Sequence, residues 1–188
     1  MKKIYFLAFF LALQTFCFAS VDVELPLDMS LFKTEIPFDA HQSYGEFFPY
    51  FSAGPVRALY VFDDFPQNSN WNFALGGGVF VWPFQVLAAS ARAEYKIFTF
   101  ENQSFFTVSG TLDAGALFLF TGYYDVENGK TVNKLYASPA VGTSLELRYH
   151  FPGEKHFYTG GGFFVGGSNV SNSLFVLYGI TALAGFRF

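Results

Sequence analysis

The side chains able to do chemistry are few and regularly spaced. Arg92, Glu94 and Lys96 alternate with Ala91, Ala93 and Tyr95; Glu146 and Arg148 alternate with Leu145, Leu147 and Tyr149; and Arg57, Asp113 and Arg187 each stand among apolar or small neighbours. Opposite charges two residues apart on a strand share a face, where they can act as an acid and base or simply pair. Of three histidines, His41 lies near Asp39 and Ser43, while His150 and His156 flank Phe151-Pro-Gly-Glu-Lys155. No serine elbow or paired His-x-Ser accompanies them, and no His, Cys and carboxylate spacing suits a metal. The glycines at 76–78, 160–162 and 166–167 lack the Lys and Ser or Thr that complete a phosphate loop. These residues lead us to expect neither catalysis, nor a cofactor, nor a metal. A net charge of −4 with no basic run after Lys3 argues against nucleic acid.

Period two dominates the elements that must carry these side chains. In 141–151, Val141, Thr143, Leu145, Leu147, Tyr149 and Phe151 oppose Gly142, Ser144, Glu146, Arg148 and His150. In 104–122 a row from Phe106 to Phe120 opposes Thr107, Ser109, Thr111 and Asp113, and the contrast fades at Leu117 and Leu119. Segments 85–99 and 173–188 alternate as clearly, with Leu183 diluting the polar face of the second. Segments 47–63, 71–82 and 156–167 fit less sharply. Residues 21–31 put Asp22, Glu24, Asp28 and Ser30 opposite an apolar row, with Pro26 inside, so they form either an edge-like first strand or a lead-in.

The chain is 22% aromatic, with 28 phenylalanines, and only 14% charged, against roughly 25% in ordinary globular domains. That is more apolar surface than one small core can hide, so part of it should face lipid or a partner. Met1-Lys2-Lys3, the apolar run Ile4–Leu13 and the small residues before Ser20 follow the plan of a signal peptide, with cleavage after Ala19. Residues 20–188 are then one domain. Cys17 would leave with the leader, and Gln14-Thr15-Phe16 before it is not a lipobox.

Eight segments are the smallest even number found in bacterial outer-membrane barrels. The expected fold is all-β, a transmembrane antiparallel up-and-down β-barrel of eight strands. Turns at 64–70, 101–103 and 151–155 fall on the periplasmic side, connections at 37–46, 124–134 and 168–172 on the outer side, and Pro83 marks an unusually short outer turn. A secreted soluble barrel shares the alternation but needs a charged exterior, which this composition does not supply. Helical spans are opposed by Gly76, Gly77, Gly78 and Pro83 within the longest uncharged run. In so narrow a barrel, inward charges are confined, and Arg57, Arg92, Glu94, Lys96, Asp113, Glu146, Arg148 and Arg187 are expected to pair there.

The final strand, Tyr178-Gly-Ile-Thr-Ala-Leu-Ala-Gly-Phe-Arg-Phe188, resembles the C-terminal signature of outer-membrane β-barrel proteins, closest in plan to the eight-stranded group that includes OmpX, the OmpA membrane part and OmpW. The resemblance implies that Tyr178, Phe186 and Phe188 form the signal read by the barrel-assembly machinery. It also implies a girdle of interface aromatics, for which Trp71, Trp82, Tyr95, Tyr123 and Tyr149, with Tyr124 and Tyr178, are candidates. The expected partners are outer-membrane lipid and that machinery, for a monomeric protein. Its role is structural or surface interaction through the outer loops, or else passage of small solutes.

Overall fold

A computed structural model describes residues 19–34, 47–53, 56–63, 69–80, 85–125, 129–153, 156–170 and 173–188. The strands are β1 (Ala19–Thr34), β2 (Phe47–Ala53), β3 (Val56–Phe62), β4 (Trp71–Phe80), β5 (Gln85–Thr99), β6 (Phe105–Asp125), β7 (Lys130–His150), β8 (His156–Val170) and β9 (Ser173–Arg187). β2 and β3 lie one after the other along β1, so these nine pieces occupy eight positions. Every neighbouring pair is antiparallel, and β1 closes the ring on β9 from Asp22↔Arg187 to Thr34↔Phe175. Backbone hydrogen bonds of 3.2 and 3.0 Å between Val21 and Phe188 finish the seam. The result is the expected all-β up-and-down barrel, in which closure removes the sheet edges.

The first strand is a full member of the ring, paired on both sides. Its pairing shifts by one residue between Glu24↔Arg57 and Leu27↔Ala53. Pro26 sits at that shift, where a proline without an N–H is tolerated. A second irregularity falls between Lys96 and Phe98 of β5.

Two expected outer connections are corrected. Residues 124–125 and 130–134 belong to strands rather than to a loop, because β6 and β7 stay paired from Phe105↔His150 to Asp125↔Lys130. Residues 168–170 belong to β8, whose last pair with β9 is Val170↔Ser173. Strands of 21 residues greatly exceed the roughly 9 to 11 that cross a bilayer. The expected connection 37–46, Trp82 and Pro83 lie outside the described residues, as does the leader 1–18. Ala19, expected to end that leader, pairs with Phe62.

Burial follows the alternation in reverse of a soluble fold. Leu25, Leu75, Leu87, Leu112, Leu145, Phe163 and Ile180 are exposed on the outside, while Asp22, Glu24, Arg92, Glu94, Thr107 and Arg148 are buried inside. Two groups of inner apolar residues pack together: Leu59, Val61 and Ala74 on β3 and β4, and Leu117, Val170 and Phe175 on β6, β8 and β9. The second group lies toward the end of the barrel opposite Phe188. Leu117, which blurs the alternation of β6, is therefore an inward residue in an apolar part of the lumen.

Strand coiling brings backbones together at Gly115, where a Cβ would stand 1.9 Å from the Leu87 carbonyl oxygen. Gly110, on the same strand, has nothing closer than 3.9 Å. Gly115→Val is thus expected to stop β5 and β6 from pairing and to abolish the folded form, seen as loss of the mobility difference between unboiled and boiled samples on gels. Gly110→Ala should leave that difference intact and change stability by no more than about 0.5 kcal/mol.

Candidate functional site

Polar chemistry concentrates in the lumen toward the Phe188 end, where inward residues of β1 and of β3 through β9 converge. Glu24 of β1 is the hub. It accepts hydrogen bonds from Arg57 Nη1 at 3.2 Å, Arg148 Nη1 at 2.6 Å and the Tyr158 hydroxyl at 2.8 Å, and from Arg92 as well. Asp22, two residues before it on the same face, accepts from Arg187 Nε at 2.7 Å and Nη2 at 3.1 Å, and from Arg92. Glu94 takes Arg187 Nη2 and Asn72 Nδ2, each at 3.3 Å.

Glu146 is held by Arg148 through Nε at 3.0 Å and through Nη2, with Ser144 Oγ at 2.7 Å and Ser109 Oγ at 3.3 Å. Asp113 accepts from Arg57 Nη2 at 3.1 Å and from Ser90. Arginine suits this work because its planar fork engages two carboxylates at once and remains charged wherever it is buried. At the rim, Arg187 Nη1 reaches Asp63 at 3.1 Å, and Ser20 Oγ donates to the same carboxylate at 2.8 Å.

Seven of the eight charged residues anticipated from alternation meet in this layer. Lys96 does not. It is half-buried next to the irregularity in β5, with its ammonium 4.9 Å above the Phe105 ring and no ion pair among the described residues. It stays in register with Arg92 and Glu94, opposite Thr107, but one step farther along the strand, where the Phe105 ring rather than a carboxylate meets it.

Asp22, Glu24, Asp63 and Tyr158 were not among the anticipated set. The alternation of 21–31 had already put Asp22 and Glu24 on the polar face, so that signal was present. Tyr158 carried none. Its ring occupies the space of the missing side chain at Gly185, where a Cβ would lie 2.2 Å from it, and this lets the phenol reach Glu24. His150 stacks on Phe105 with centroids 4.3 Å apart and has Thr107 Oγ1 3.1 Å from Nε2. It is wholly buried, away from any surface a lipid substrate would approach.

Of the aromatic candidates, Trp71, Tyr95, Tyr149 and Tyr178 lie on the outward face. Trp71 stacks on Phe73 and touches Tyr95, with centroids 6.2 and 4.9 Å apart. Tyr149 contacts Phe106 and Phe151, and the row continues through Phe157 and Phe186 to Phe188. Tyr178 is exposed partway along β9. Tyr123 lies in β6 opposite Val132. The row at the Phe188 end is built mostly from phenylalanines that reasoning about tryptophan and tyrosine alone passed over.

Breaking a buried ion pair by removing one partner costs about 3 to 5 kcal/mol, since the other charge stays desolvated. Glu24→Leu strips a partner from three guanidiniums at once and should lower stability by at least that amount in urea unfolding of the micelle-refolded barrel. Lys96→Leu should change it by less than about 1 kcal/mol, as for a surface group.

No family model matches the chain, and no curated protein sequence matches it. Among solved structures it is similar to Neisserial surface protein A, at 15% identity and a TM-score of 0.49, with 90% of this chain and 97% of that chain covered. It is also similar to the N-terminal β-barrel domain of Pseudomonas aeruginosa OprF, at 14% identity and a TM-score of 0.38, with the same coverage. The likeness assigns no role to any residue, and the barrel itself rests on its own strand register.

Proposed function

We propose that this chain is an integral outer-membrane β-barrel, exported through residues 1–19 and monomeric, whose role is structural or surface interaction at its outer end rather than solute passage. The observation that carries the reading is the reversal of polarity between its faces. Large apolar side chains stand exposed on the outside of every barrel position, Met29, Val56, Leu75, Leu87, Leu112, Leu145, Phe163 and Ile180 among them. Soluble monomers rarely expose contiguous apolar patches beyond a few hundred Å², whereas a lipid-facing band requires this surface.

The lumen supports the second half of the proposal. Asp22, Glu24, Glu94 and Arg148 are fully buried and joined across the barrel, so a solute would have to separate paired ions to pass. The far end, by contrast, carries the long β6–β7 hairpin, which extends beyond the last pairs with its neighbours among the described residues, at Gln85↔Phe118 and Ala140↔Ser168. That hairpin is the surface best placed to meet a partner. A catalytic role finds no support in the sealed position of His150.

Two measurements test this reading. In planar bilayers the refolded chain should give no reproducible conductance steps, and such steps would favour transport. Leu145→Arg should destabilise the barrel in phospholipid vesicles by about 2 to 4 kcal/mol if the residue lies near the midplane. A change within about 0.5 kcal/mol, the usual range for a water-exposed site, would turn the exterior over to water and sink the membrane assignment.

A further inference from the structure

Between the ion layer and the apolar group of Leu117, Val170 and Phe175, the lumen holds a cavity of about 130 Å³. Its walls are Val86, Ala88, Leu117, Phe164, Phe175 and Leu177, and its floor is formed by Asp28, Arg57, Asp113 and Glu146. The space exists because inward positions on β7 and β8 are glycines. A Cβ on Gly142 would meet nothing closer than 3.5 Å, and one on Gly166 nothing closer than 3.4 Å.

The floor is unbalanced in charge. Asp113 is paired with Arg57 and Glu146 with Arg148, while Arg57 divides its two terminal nitrogens between Glu24 and Asp113. Asp28 is only 8% exposed. The Thr181 hydroxyl bonds to it, yet it has no ion pair among the described residues. A carboxylate this deeply buried, near the like charges of Asp113 and Glu146 and served only by an Arg57 already engaged by Glu24 and Asp113, is a costly arrangement, and a cation entering the cavity would relieve it. An anion would find the terminal nitrogens of Arg57 already engaged.

We propose that this cavity binds a small amphiphilic cation, a primary ammonium on a compact apolar body. The ammonium sits at Asp28, and the body lies against Leu117 and Phe175. The size fits one ring or a short chain, since an engineered apolar cavity of about 150 Å³ accepts benzene.

The test uses the folded chain in lipid nanodiscs, followed by amide NMR during titration with benzylammonium, benzyl alcohol and benzoate. Benzylammonium should give saturable shifts at Asp28, Gly142 and Thr181, with benzyl alcohol binding at least about tenfold more weakly. Asp28→Asn should erase that difference, and Gly142→Val, which fills the cavity, should remove binding of both compounds. Gel mobility of unboiled samples reports whether each variant folds, and Gly166→Ala serves if Gly142→Val does not. Equal affinity for ammonium and alcohol, preference for benzoate, absence of any shift, or unsaturable shifts at lipid-facing residues would each overturn the proposal.

Discussion

An arginine inside a ring of strands whose outer faces are apolar has no bulk water to turn to, and this constraint governs the rest of the molecule. Each such ion carries a desolvation penalty of several kcal/mol, which only well-placed opposite charge and further hydrogen bonds offset. Arg57, Arg92, Arg148 and Arg187 meet it by sharing Asp22, Glu24, Glu94, Asp113 and Glu146. Glu24 on β1 reaches Arg92 on β5 and Arg148 on β7, strands that are not its neighbours. The layer therefore completes only when the barrel closes. A slip of one residue in any strand would turn its charges outward and its leucines inward, so the same ions that demand closure also specify register.

Along the barrel axis the interior changes chemistry. At the Phe188 end it is ionic and sealed; farther along it becomes apolar around Leu117, Val170 and Phe175, with Val86, Tyr136, Ala140 and Leu177 packed against them. Gly142 and Gly166 face inward between these regions, and no side chain fills the gap they leave. Coupled ion pairs have few alternative arrangements that keep every charge matched, while apolar side chains around a void can repack at small cost. The rigid half and the adaptable half are thus built from the same eight strands.

At the far end β6 and β7 continue beyond the last pairs that the described residues of β5 and β8 make with them. Pro139 has no amide to donate, and the ladder between β7 and β8 ends beside it at Ala140↔Ser168. Hydroxyls take over at the junction: Ser168 Oγ donates to the Pro139 carbonyl at 2.8 Å, and Ser138 Oγ donates to that of Asn169. A two-stranded ribbon alone is marginally stable in water. Here its base is fastened to the barrel wall, and its strands enter from 21-residue elements that are already paired.

The sequence by itself determined where the strands lie, though not the far ends of β6, β7 and β8, together with their two faces and the polarity of each, because a strand's side chains alternate strictly and the pattern of Glu146, Arg148 and His150 against Leu145, Leu147 and Tyr149 needs no partner to be read. It also determined that Arg57, Arg92, Glu94, Asp113, Glu146, Arg148 and Arg187 share the inside. Only the tertiary structure decided which of them meet. Contacts across a barrel depend on register and stagger, and Glu24 touches Arg148 from a position 124 residues away. The exclusion of Lys96, the insertion of Tyr158 over Gly185, the inward place of Leu117 and the unbalanced Asp28 all follow from that stagger. Local periodicity carries the direction of a side chain but not its height in the lumen.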